Sequence, residues 1–285
     1  MAVDFDKFWN FGDPAGTEQK FREVLPQVVD DHNTHAELLT QIARTQALQR
    51  KFDDAHATLD MVIPMLTPVM ARQRTRYLLE RGRVFNSSQQ PDTARPLFLE
   101  AWDLAREAGE DPLAIDAAHM VAITYSGHEA LAWNEKALAF AEASDHPRAK
   151  NWLGTMYHNI GVTYLDSGNP ARALEMFRKD LEWRTVHGAP AQIRISQWCV
   201  ARALRALGHV DEALEMQRAL FDAFQEAGEE DGYVFEELAE CLHTLNRDDE
   251  ARHFFGLAYR ALSQDQWFVA REAARLQHLK DMAGA

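Results

Sequence analysis

The side chains best suited to chemistry in this 285-residue chain are twelve histidines, two cysteines and a set of arginines lying inside helical patterns. His32 and His35 stand three apart, as do Asp116 and His119, which places both members of each pair on one face of a helix. Such a pair supplies two of the ligands that a zinc ion needs, and neither pair has a third at a recognisable spacing. Cys199 and Cys241 are isolated and lack a CxxC context, which speaks against a disulfide framework or a cysteine zinc site. Both are expected to be packed as small apolar residues. No GxxxxGK[ST], GxSxG or HExxH pattern occurs. The expectation is therefore a chain with no catalytic residues, no metal and no cofactor.

A formal charge of −14 argues against nucleic acid as a partner, because affinity for phosphate backbones comes from Lys and Arg. No apolar run approaches the 18 residues of a membrane span, so no membrane partner is expected. The amino terminus, MAVDFDKFWNFGDP, lacks a basic stretch followed by an apolar core, and the expected location is the cytoplasm.

The elements that position these side chains all follow the 3.6-residue period. Asp13-Pro14 reads as the N-cap and first residue of an opening helix, with Phe21, Val24 and Leu25 on one stripe. A segment then recurs about every 40 residues. Its clearest copy is YHNIGVTYLDSGNPARALEMF, Tyr157 to Phe177. Small residues hold the same slots in successive copies: Ala55 and Ala94 are 39 apart, Ala173 and Ala213 are 40 apart, and Ala213 and Ala251 are 38 apart. Fixed-period self-similarity on this scale indicates stacked supersecondary units. The reading gives an N-terminal helical segment over 1–30 and six helical hairpins at 31–68, 69–110, 111–146, 147–189, 190–230 and 231–265. A capping helix over 266–285 completes one continuous solenoid. Gly161, Ala173, Ala213 and Ala251 let paired helices approach, while Tyr164, Phe177, Phe98 and Phe255 fill the space between hairpins. Gly168 and Gly208 supply the left-handed residue that ends a helix. Arg81 falls in an apolar slot and needs a carboxylate, for which Glu100 is a candidate.

These residues resemble the tetratricopeptide repeat, whose pattern sets Leu-Gly, Tyr, Gly, Ala, Phe and Ala at fixed positions. Ile160, Gly161, Tyr164, Gly168, Ala173 and Phe177 match it, as do Leu238, Ala239, Ala251, Phe255 and Ala258. Gly82, Phe85, Ala94, Phe98 and Ala101 follow the same pattern. The long spacing is similar to kinesin-light-chain-like and bacterial peptide-sensor members. The resemblance implies an all-α fold, a right-handed α-α superhelix whose first helices line a concave groove.

Transferring the family's groove positions gives Thr40, Gln41 and Arg44 in the first repeat, Arg76, Glu80, Arg83, Asn86 and Ser87 in the second, and Asp116 and His119 in the third. The later repeats contribute His158 and Asn159, then Trp198, Arg202 and Arg205, then Tyr233, Glu236, Glu237, Glu240 and His243. A guanidinium presents a planar fork to carboxylate or phosphate. Asn159 occupies the slot where peptide-binding members hydrogen-bond a peptide backbone, and Trp198 is a candidate apolar anchor. The alternative reading has the arginines paired within the chain, Glu80 and Arg83 being three apart. The expected function is a protein- or peptide-binding scaffold or adaptor for a ligand with an acidic group. The alternatives are a sensor of a signalling peptide or small acidic metabolite, and a self-assembling unit that forms a homo-oligomer.

Overall fold

The computed structural model describes residues 5–284, and among these every regular element is helical. Contacts divide the chain into two compact units, Met1–Met156 and Tyr157–Ala285. In unit 1 a 3₁₀ turn, Phe5–Phe8, and helix α1 (Pro14–Val24) precede three hairpins. These pair α2 (His32–Leu48) with α3 (Phe52–Val62), α4 (Ala71–Ser87) with α5 (Pro91–Glu107), and α6 (Asp111–Ile123) with α7 (Gly127–Ala143). A short turn, α8 (Pro147–Lys150), precedes α9 (Leu153–Asp166), whose residues from Tyr157 onward belong to unit 2. Unit 2 continues with α10 (Pro170–His187), then pairs α11 (Pro190–Ala206) with α12 (Val210–Ala227) and α13 (Gly232–Thr244) with α14 (Asp248–Leu262). It ends in α15 (Gln266–Arg271) and α16 (Ala273–Ala283).

Local signals explain the boundaries. Asp13 accepts from the Gly16 N–H at 2.9 Å, with Pro14 as the first helical residue of α1. Asp31 and Asp231 cap α2 and α13 in the same way. Gly168 and Gly208 have φ of +75° and +85° at the turns inside their hairpins. The equivalent slots of three other hairpins hold Arg50, Gln89 and Asn246, also at positive φ, at a cost of about 1 kcal/mol each relative to an ordinary conformation.

The small-residue slots behave as steric clearances. A Cβ at Gly82 would lie 2.4 Å from the Phe98 ring, and one at Gly161 would lie 2.5 Å from Phe177. Phe98, Phe177 and Phe255 are fully buried, each stabilising the stack by about 2–3 kcal/mol. Two details depart from the sequence reading. The C-terminal segment breaks at Glu272, where the backbone leaves the helix (φ −115°, ψ 32°). The break serves two docking contacts, Phe268 on Tyr233 at 5.8 Å and His278 on Phe255 at 5.8 Å. Arg81 is held by Asp60 and by His56 Nδ1 at 2.7 Å, so its carboxylate comes from α3 and not from Glu100.

Candidate functional site

Each unit carries its own concavity, and the two differ in chemistry. In unit 1 the first helices α2, α4 and α6 present interleaved charges. Glu80, whose side chain is 0% exposed, accepts from Arg83 at 2.6 Å and from Arg44 at 3.4 Å. Arg83 also donates to Asp116 at 2.5 Å. Arg72 bridges Glu37 at 3.1 Å and Glu110 at 2.7 Å. Burial alone would lower the Arg83 pKa, but Asp116 and Glu80 hold it above the usual arginine value. Burial likewise opposes ionisation of Asp116, and Arg83 and Arg44 overcome it, keeping this carboxyl below its ordinary range. Burial pushes His119 down; the ring hydrogen-bonds Asn134 and lies 5.6 Å from the Trp152 ring. A cavity of about 480 Å³ opens beside this row, with Arg44, Arg76, Asp116, His146 and Trp152 in its wall.

The N-terminal segment covers part of the face that the sequence assigns to a groove. Trp9 Nε1 donates to Gln41 at 3.0 Å, and Arg44 lies 5.5 Å from the Trp9 and Phe11 ring centres. Gln41 is buried beneath it, Thr40 is buried as well, and neither faces a groove. Asn86, at the far end of α4, lines a separate hollow with Tyr125 and Arg95.

In unit 2, Ile195, Trp198, Phe224, Tyr233 and Val234 wall a cavity of about 410 Å³ that is largely apolar. It lies between α11, the end of α12 and the start of α13. Trp198 Nε1 donates to the Tyr233 carbonyl at 3.1 Å, so the indole offers the cavity an apolar face with its polar group satisfied. Ile195 is 51% exposed. Arg194 stands at the rim, 4.7 Å above the Phe224 ring, with its buried Nε making no hydrogen bond among the described residues and one Nη reaching Glu229 at 3.3 Å. Arg202 lies 4.7 Å over Trp198 and, among the described residues, donates only through Nε, to Glu237 at 3.2 Å.

Glu237 also receives a forked pair from Arg205 at 2.8 and 3.0 Å. Burial opposes the Arg205 charge, and Glu237 more than restores it. The sixth repeat's acidic face is occupied by the terminal helix: Arg275 holds Glu236 at 2.5 Å, and His278 holds Glu240 at 3.0 Å. Asn159 and His158 are half-buried on α9.

His158 Nδ1 lies 3.8 Å from Cys199 Sγ and 3.8 Å from Asp180, an arrangement that superficially resembles a thiol–imidazole–carboxylate triad. Its chemistry runs the other way. Burial pushes the Cys199 thiol up to about 12 and lowers His158, so neither an activated thiolate nor an imidazolium forms near neutrality. Asp180, fully buried, is committed to Ser196 at 2.6 Å and Arg184 at 2.5 Å.

Of the residues named from sequence, Arg44, Arg83 and His119 come together in unit 1, while Trp198, Arg202 and Arg205 come together in unit 2. The structure gives every one of the four arginines an intramolecular carboxylate partner. Sequence reasoning missed Arg72, Arg194 and Ile195, which lie ahead of the transferred positions on their helices. The cross-repeat pairs carry a usable signal. Glu37–Arg72, Arg44–Glu80, Arg83–Asp116 and Arg202–Glu237 are separated by 33 to 36 residues, near one repeat.

Residues 153–188 match the family model of the tetratricopeptide repeat. A curated relative, outer dynein arm-docking complex subunit 4 of Danio rerio, is 26% identical over 206 residues, 70% of this chain and 40% of that protein. Among solved structures, a STAND signal-transduction ATPase with a tetratricopeptide repeat sensor from Pyrococcus horikoshii shares the fold. Its TM-score is 0.73 at 14% identity, over 95% of this chain and 42% of that one. NprR in complex with its cognate peptide NprX gives a TM-score of 0.55 at 17% identity, over 92% of this chain and 78% of that one. The chain thus spans 40% of the length of the curated relative and 42% of the first of these structures.

Proposed function

We propose that this chain, an all-α solenoid of the tetratricopeptide repeat type, is a non-catalytic scaffold that captures a polypeptide segment in the apolar cavity of unit 2. The observation that carries the reading is the Trp198 wall. It is a half-exposed aromatic and aliphatic surface with its one polar group internally satisfied, flanked by two guanidiniums with N–H groups to spare. Such a site gains by burying a bulky apolar side chain and by meeting a carboxylate beside it. The ligand is thus a peptide segment pairing an aromatic or branched aliphatic residue with a neighbouring Asp or Glu. The NprR complex supports this reading in one respect, since the same fold there holds a peptide.

A display selection of random peptides against the purified chain tests the proposal. Enriched sequences are expected to share the apolar–acidic pairing. Ile195→Asp, which places a carboxylate in the cavity at a half-exposed position, is expected to weaken their binding by about tenfold or more, with melting little changed. Absence of any enriched pattern, or equal binding by Ile195→Asp, would contradict it.

A further inference from the structure

The unit 1 cavity contains donors that the fold leaves unused. Arg76, on α4, has a side chain only 11% exposed, yet it donates no hydrogen bond among the described residues. Its one ionic contact is Glu37 at 3.5 Å, through Nε. Arg44, across from it on α2, has a single long bond to Glu80 at 3.4 Å. Burial lowers the Arg44 pKa, and Arg83 and Arg76 add to that effect, while Glu80 and Asp116 offset only part of it. The carboxylates of the same wall are in the opposite condition: Asp116 is taken by Arg83 at 2.5 Å and Glu110 by Arg72 at 2.7 Å. The buried Nε–H of Arg76 is left without an acceptor, which costs free energy until one reaches it.

We infer that Arg44 and Arg76 form a binding site for a small organic oxyanion, a carboxylate or phosphate ester, in the unit 1 cavity. Two adjacent guanidiniums offer forked donors to the oxygens. Leu113 and Trp152 supply an apolar wall for the ligand's body, and about 480 Å³ suits a small metabolite better than a bare ion. The site is built from residues of unit 1 and stands independently of peptide capture by unit 2.

Calorimetric titration of the purified chain at low salt tests this with three probes: phenyl phosphate, phthalate and inorganic phosphate. At least one of the first two is expected to bind more tightly than inorganic phosphate; phenyl phosphate alone would assign a phosphate ester, and phthalate alone a carboxylate. Arg76→Gln is expected to weaken that binding by about tenfold or more, and Arg76→Lys by less. Because Arg76 makes no hydrogen bond among the described residues, Arg76→Gln is expected to leave the melting temperature unchanged or higher. Three results overturn the inference: no binding of either organic probe in the millimolar range, equal binding by Arg76→Gln, or unfolding of that variant, which would make Arg76 a structural residue.

Discussion

The two units build their hairpins from the same steric parts and line their concavities with opposite chemistry. Gly82 against Phe98 in unit 1 and Gly161 against Phe177 in unit 2 are the same clearance used twice. Along the first helices the resemblance ends. Unit 1 sets Arg44, Glu80, Arg83 and Asp116 in a buried chain of ion pairs. Unit 2 sets Ile195 and Trp198 over Tyr233 and Phe224. The repeat therefore fixes where a side chain stands, and the residue type placed there decides whether the face is a polar network or an apolar receptor.

The sharpest way to break this comparison is at its most buried charge. Glu80→Ala leaves Arg83 and Arg44 enclosed with fewer partners and is expected to cost about 3–5 kcal/mol in urea unfolding. Trp198→Phe in unit 2 keeps the apolar contact and is expected to cost no more than about 1.5 kcal/mol. Equal losses would mean that the ionic row is no more structural than the apolar wall. Next in size, Gly82→Ala and Gly161→Ala are each expected to cost about 1–3 kcal/mol, since the added methyl meets the same phenylalanine ring in both units. A large effect in one unit alone would show that the shared clearance is not equally tight.

A pH experiment sharpens the contrast further. His119, facing Asp116, Arg83 and Asn134, and His158, facing Asp180 and Arg184, both have pKa values lowered by burial from 6.5. The native chain then stays neutral at these rings where the unfolded chain takes up a proton. Stability from this source is complete above about pH 6.5 and is lost as the pH falls below it. Thermal melts between neutral pH and mild acid are expected to show a falling melting temperature, and replacing both histidines by Gln should flatten that slope. The smallest expected effect is at the turns. Gly168→Ala should cost about 1 kcal/mol, whereas Asn246→Gly should be near neutral, because relief at positive φ offsets the added freedom of the unfolded chain.

The steric skeleton could be read from the sequence because it is local and periodic. Gly161, Ala173 and Phe177 lie within one hairpin, and their sizes alone state who must approach whom. Gly168 and Gly208 announced their turns by residue type. Arg50, Gln89 and Asn246 do the same job without a glycine, at exposed turns closed by local backbone bonds: Lys51 N–H to Gln46 O, Gln90 N–H to Phe85 O and Arg247 N–H to Leu242 O. The arginines were harder. A guanidinium's position on a helix face follows from period, but its partner belongs to the next hairpin or to a terminal segment. Arg83 finds Asp116 and Arg275 finds Glu236 across hairpins, at spacings near one repeat, which nothing within a single helix specifies. Burial of Gln41 under Trp9 is the same kind of fact, set by a segment outside the repeats.

The indole N–H signals of Trp152 and Trp198, assigned by single Trp→Phe variants in a ¹⁵N-labelled sample, test most directly whether the two faces are separate receptors. Adding a peptide recovered by selection is expected to move the Trp198 signal and leave Trp152 in place, whereas phenyl phosphate or phthalate should do the reverse. Both ligands moving the same indole, or a selected peptide leaving Trp198 unmoved, would contradict the account.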